Sequence, residues 1–98
     1  EQLKTAILEG WPLILDVREP DEFTICRIEG SINIPMGQVI ARLKDLELDQ
    51  PIVVVCHHGL RSAMTAKFLV SAGYEEVYNL VGGVDAWALE VDPSMPRY

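Results

Sequence analysis

The stretch VVVCHHGLRSA, residues 53 to 63, decides how the rest of the chain is read. A run of three valines ending at a turn reads as a buried strand, and the segment from Leu60 to Ala72 has helix-forming composition. Cys56 therefore occupies a strand-to-helix turn, followed at once by His57, His58, Gly59 and Arg61. Working outward, short apolar β-rich stretches recur at Pro12 to Val17, Ser31 to Pro35 and Glu76 to Leu80, with Pro51 to Cys56 as the central one. Segments of helical character lie between them, at Glu1 to Leu8, from Asp21 towards Cys26, at Met36 to Leu46 and at Leu60 to Ala72. In Met36 to Leu46 the apolar positions Met36, Val39, Ile40, Leu43 and Leu46 recur at threes and fours, which predicts one buried helix face. Gly73 is the expected C-terminal stop of the last long helix.

Strands apolar throughout and separated by helices predict an α/β fold, a central parallel sheet with helices on both faces. Sites in such sheets lie at the carboxyl ends of the strands. That rule brings Asp16, Val17 and Arg18 to one strand end and Cys56 to Arg61 to another, facing one crevice. Asp16 and Arg18 alternate along their strand and share a face, so a structural ion pair with an indirect, supporting role is the expected reading.

Ninety-eight residues bury roughly 60–65% of the surface that the unfolded chain exposes, enough for a core without staples. With 49% hydrophobic and 23% charged residues, no repeat and no linker, residues 1–98 read as one globular domain. No apolar run approaches the roughly 18 residues of a membrane span, and the first residues lack a signal peptide's basic start. A net charge of −7 argues against nucleic acid and anionic membranes as partners. Between Asp49 and Glu75 there is nonetheless no acidic residue, while Arg61 and Lys67 fall inside that interval. Lys67 reads as a solvated helix residue with at most a weak steering role. The two cysteines, Cys26 and Cys56, form no C-x-x-C pair, so reduced thiols and a cytoplasmic location are expected.

The loop after Cys56 enters a helix, whose first N–H groups lack internal partners and carry partial positive charge. Such an end favours an anion, and a thiolate is one. Arg61 is the neighbouring cation, and Gly59 permits backbone angles that turn successive N–H groups toward one point. The stretch reads as an anion cradle with a sulfur at its base. His57 and His58 are good metal ligands by type, but three consecutive residues do not readily converge on one ion and no separate cluster completes the coordination. No metal and no cofactor is expected, and the histidines read as loop side chains shaping the mouth. Trp11 and Trp87 read as core or edge aromatics, and Gly82 and Gly83 as turn glycines.

C-x-x-G-x-R at a strand end resembles the active-site loop of the rhodanese, or sulfurtransferase, domain of the single-domain type. Further marks of that family follow in order: D-V-R-E at Asp16 to Glu19, E-F at Glu22 and Phe23, G-x-x-N-I-P at Gly30 to Pro35, G-G-x-x-A-W at Gly82 to Trp87, and the closing P-R-Y. The resemblance implies a rhodanese-like fold and an enzyme that moves sulfane sulfur from a small anionic donor, such as thiosulfate, to cyanide or a thiol. It implies Cys56 as nucleophile and persulfide carrier, with the amides from His57 through His58, Gly59 and Leu60 to Arg61 holding the bound sulfur. Arg61 would orient the loop and bind the donor. Related phosphatases have one residue more in this loop, C-x5-R, whereas Arg61 is the fifth residue after Cys56, and the shorter loop favours a single sulfur atom. An alternative is a sulfur-carrier or regulatory domain of a larger protein, loaded by a partner sulfur-transfer protein. One departure stands out: where the family often reads G-H-I-x-G-A, this chain has Cys26, Arg27, Ile28, Glu29, Gly30 and Ser31. If Cys26 lay near Cys56 it could resolve the persulfide as a disulfide.

Overall fold

A computed structural model describes residues 2–10, 12–46 and 48–96 of the chain, without the side chains of residues 2–4 and 43–45. The expectations for Trp11, for Leu43 and for the closing Arg97 and Tyr98 lie outside what it describes. The elements are α1 (Gln2–Glu9), β1 (Leu13–Asp16), α2 (Pro20–Ile25), β2 (Ile32–Asn33), β3 (Ile52–Val55), α3 (Leu60–Ser71), β4 (Val77–Asn79) and α4 (Gly83–Glu90). Two 3-10 segments, Met36–Gln38 and Ile40–Asp45, stand between β2 and β3.

The four strands form one sheet in the order β2-β1-β3-β4, and every pairing is parallel. In the central pair Leu13 stands opposite Ile52 and Asp16 opposite Val55. Because successive side chains alternate across a strand, each strand feeds two cores. Ile14, Val53 and Val55 pack with Ile7 of α1, with Cys26 and Ile28 behind α2, and with Val84, Trp87 and Ala88 of α4. Leu15, Val17, Ile52, Val54 and Cys56 pack on the other face with Leu69 of α3, Tyr74, and Val39 and Leu46 of the 3-10 region. The sheet is thus covered on both sides, which is why β3 is apolar at every position and wholly buried.

The segment from Met36 to Leu46 departs from the expected continuous helix. It is two 3-10 stretches, the second with a break at Arg42 (φ −113°, ψ 17°), and of the apolar set with described side chains Val39 and Leu46 are buried, while Met36 and Ile40 face solvent. A 3-10 helix has three residues per turn, so positions three apart eclipse while positions four apart fall on different faces, and a mixed spacing of threes and fours no longer marks one face. The apolar spacing was that of an α-helix, but the geometry that would bury it is absent. Gly73, with φ +105°, follows α3 as its stop, as expected.

Candidate active site

Cys56 is the first residue beyond β3, placed by the parallel ladder at the carboxyl edge of the sheet. It retains 1% of its accessible surface. Its Sγ accepts the backbone N–H of Gly59 at 3.0 Å and that of Ser62 at 3.3 Å. Both donors belong to the mouth of α3, Gly59 as its N-cap and Ser62 in its first turn. Gly59 holds φ +103°, and a Cβ there would press within 3.1 Å of the Gly82 amide nitrogen, so both backbone angle and space call for glycine. Among the described hydrogen bonds the amide donors to Cys56 Sγ are those of Gly59 and Ser62, the second lying one residue beyond the run from His57 to Arg61 that was expected to hold a bound sulfur.

Ser62 is a site residue that the sequence did not single out. Its Oγ stands 3.3 Å from Cys56 Sγ and accepts a hydrogen bond from the thiol. The serine's own proton is shared between Asn79 Oδ1 in a very short contact and the Gly59 carbonyl at 3.1 Å, while Asn79 Nδ2 donates to that carbonyl at 3.3 Å. When the sulfur is anionic, the same hydroxyl can rotate and donate to it, because a serine oxygen serves either way. Three polar groups then face one sulfur. A serine in a first helical turn was the available signal, but its partner Asn79 ends β4, seventeen residues on, and only the fold joins them.

Arg61 lies in the first turn of α3, and its Nη1 and Nη2 donate to Glu22 Oε2 at 2.7 Å and Oε1 at 2.8 Å. This two-pronged ion pair ties the loop and α3 to α2. Glu22 also caps its own helix by accepting the Glu19 amide at 3.1 Å. Behind it stands Arg18, wholly buried with Asp16. Arg18 Nη2 donates to Asp16 Oδ2 at 2.7 Å and Nε to Oδ1 at 2.9 Å, while Nη2 and Nη1 hold the carbonyls of Cys26 at 2.6 Å and Glu22 at 3.2 Å. The expected structural ion pair is present and supports the site at one remove: Asp16 fixes Arg18, Arg18 fixes the α2 backbone, and α2 carries the carboxylate that fixes Arg61. Asn33 Nδ2 completes this strand end by donating to the carbonyls of Asp16 and Arg18.

The rest of the loop forms the rim. Leu60 and His58 project to solvent, whereas His57 is largely enclosed and stacks on His58 with ring centroids 4.0 Å apart. Burial of the His57 imidazole, and next the field of His58, push its pKa below the ordinary 6.5, with Asp85 and Glu22 pulling the other way. Gly83 does more than turn the chain. A Cβ on it would collide with the carbonyl oxygens of Cys56 and His57, and the next two amides, of Val84 and Asp85, donate to those same oxygens at 2.8 and 3.1 Å. The start of α4 thereby clamps the backbone on which the thiol stands. Lys67 is exposed on α3, and Trp87 is a core residue. Cys26 belongs to the core on the opposite side of the sheet from Cys56, so the condition for a resolving role is not met.

A sulfur at a parallel strand's end, ringed by the amides of a helix mouth, is an arrangement that can serve covalent group transfer. The chain matches the Rhodanese-like domain family over residues 1–90, and it belongs to that family. It is 37% identical over 85 residues to the thiosulfate sulfurtransferase GlpE of Pseudoalteromonas translucida, covering 87% of this chain and 81% of the relative. The enzyme of that name from Vibrio cholerae is 34% identical over 74 residues, covering 76% of this chain and 70% of the relative. Among solved structures, a rhodanese-related protein from Thermoplasma volcanium superposes with a TM-score of 0.83 at 37% identity, covering 91% of this chain and 86% of its own. Reduced CoADR-RHD of Bacillus anthracis superposes at 0.85 and 33% identity over 99% of this chain, which spans only 17% of that longer protein. Fold and relatives together make this a rhodanese-type sulfurtransferase in the general sense. No helix among the described residues is long and apolar enough to cross a membrane.

Proposed function

We propose that the chain moves sulfane sulfur from a small anionic donor such as thiosulfate to cyanide or a thiol, through a persulfide on Cys56. In the first step the Cys56 thiolate attacks the outer sulfur of the donor; an S–S bond forms, the donor's own S–S bond breaks, and sulfite leaves with the electron pair. In the second step the acceptor attacks the outer persulfide sulfur and Cys56 leaves as thiolate. The observation that carries this reading is the convergence of the Gly59 and Ser62 amides and the Ser62 hydroxyl on one sulfur. Those groups stabilise the anion that appears at the start and the end of each cycle. The four-residue interval between Cys56 and Arg61 supports sulfur over phosphate as cargo, since a shorter loop encloses less volume. Arg61 reads as a residue that orients the loop through Glu22 and adds positive field for an anionic donor.

A covalent exchange in two steps has ping-pong kinetics, with the first product leaving before the acceptor binds. Steady-state rates over a grid of thiosulfate and cyanide concentrations should give parallel double-reciprocal lines. Cys56→Ser should be inactive and Cys26→Ser active. Intersecting lines, or equal loss in both variants, would contradict the reading. A second reading, a sulfur carrier loaded by a partner sulfur-transfer protein, has support in the CoADR-RHD likeness, where the matched region is a small part of a much longer chain. It differs in requiring a protein persulfide donor and giving little turnover with thiosulfate.

A further inference from the structure

His57, His58 and Asp85 each offer one ligand atom, and those atoms lie within 4.8 Å of one another. The sequence argued against an ion here because Cys56, His57 and His58 are consecutive and no further ligand was visible. The fold changes both premises. Cys56 turns its sulfur inward to the cradle, while the two histidine rings stack on the same side of the loop. The missing ligand comes from the first turn of α4: Asp85 is brought to the loop because its own amide donates to the His57 carbonyl at 3.1 Å and the Val84 amide to the Cys56 carbonyl at 2.8 Å. Gly83, the one residue type that fits between these backbones, lets α4 come that close.

We propose that His57, His58 and Asp85 form a binding site for one first-row transition-metal dication, zinc being the best fit. Two imidazoles and a carboxylate are the donor set that zinc accepts, and three protein ligands leave a fourth position for water. Asp85 Oδ1 stands 4.0 Å from His57 Nε2 and Oδ2 stands 3.7 Å from His58 Nε2. These gaps exceed hydrogen-bond length, yet they are near the roughly 3.4 Å that separates two donors each about 2.1 Å from one tetrahedral ion. Bringing atoms that lie within 4.8 Å of one another to that spacing takes side-chain movements of up to about an ångström, while the backbone junction is already built. His58 is the entry side, since its side chain is 68% exposed. The site is separate from the sulfur chemistry and stands or falls independently of it.

The test is calorimetric titration of zinc chloride into the reduced wild-type protein, Cys56→Ser, His58→Ala and Asp85→Ala, with cobalt(II) absorption as a second readout. One ion per chain should bind, with affinity in Cys56→Ser within about threefold of wild type and weakened about tenfold or more in His58→Ala and in Asp85→Ala. Cobalt should show visible d–d bands without a thiolate charge-transfer band in both wild type and Cys56→Ser. Because His58 is exposed, its variant tests the site even if Asp85→Ala loosens α4. Absence of zinc binding at millimolar concentration, binding indifferent to His58 and Asp85, or binding lost with Cys56→Ser would overturn the proposal.

Discussion

Replacing Ser62 by alanine removes one of the three polar groups at the sulfur and leaves the other two untouched, because the Gly59 and Ser62 amides are backbone. The lost contact is Oγ to Sγ at 3.3 Å. A hydrogen bond to a charged group contributes about 1.5–3 kcal/mol, against about 0.5–1.5 kcal/mol for a neutral pair. If the hydroxyl turns to the anion when Cys56 ionises, Ser62→Ala should slow the reaction of Cys56 with a small electrophile about 10- to 150-fold at fixed pH, and the first sulfur-transfer step with it. The substitution also strips Asn79 Oδ1 of its donor, while Asn79 Nδ2 keeps the Gly59 carbonyl, so a separate stability loss of about 1–3 kcal/mol is expected. The two effects are separable. Asn79→Ala removes the partner but keeps the hydroxyl, and it should lower the melting temperature while retaining most of the reactivity. The assay is stopped-flow reaction with iodoacetamide and single-turnover transfer from thiosulfate, beside thermal melts of the same proteins. Reactivity of Ser62→Ala within twofold of wild type, with melting lowered, would show that the serine only supports the fold and would refute the reasoning.

Asp16→Ala leaves the wholly buried Arg18 guanidinium without its carboxylate, and breaking such a pair costs about 3–5 kcal/mol. For a chain of this size the melting temperature should fall by at least about 12 °C, read by circular dichroism; a fall of only a few degrees would mean the pair contributes little. Gly83→Ala forces a methyl group onto the Cys56 and His57 carbonyls at a positive φ, and overpacking with strain should cost about 2–6 kcal/mol in chemical denaturation, whereas Gly37→Ala, with open space around it, should be nearly neutral. The lowered pKa of His57 means that the unfolded chain binds the proton more readily than the folded one. Its contribution to stability is therefore full above the ordinary value of 6.5 and declines as pH falls below it. Denaturation between pH 5 and pH 8, roughly the range over which a histidine titrates, should show that slope in wild type and a flatter one in His57→Gln.

The parallel sheet was legible because β1 and β3 announce themselves as apolar runs, and the strand-end rule then delivered Cys56, Gly59, Asp16 and Arg18 to one edge. The alternation of Asp16 and Arg18 foretold their pairing, since a period of two puts them on one face. Other parts depended on contacts between distant elements. Glu22 reaches Arg61 across 39 residues and Asn79 reaches Ser62 across 17, and a single sequence carries no record of such pairs. Asp85 was hidden for the same reason, since only the fold brings it beside the two histidines. The Met36 to Leu46 segment misled in another way: its apolar spacing is that of an α-helix, but 3-10 geometry places Ile40 and Met36 in solvent.

The account rests on Cys56 as the atom that takes and gives up sulfur. Its most direct measurement is the intact mass of the reduced protein after exposure to a panel of donors, thiosulfate, a low-molecular-weight persulfide and a protein persulfide, with the modified residue located by peptide mapping. The account predicts a gain of about 32 Da with thiosulfate, mapped to Cys56, reversed by cyanide or a thiol and absent in Cys56→Ser. A protein that gains no sulfur from any donor, or gains it on Cys26, would contradict it.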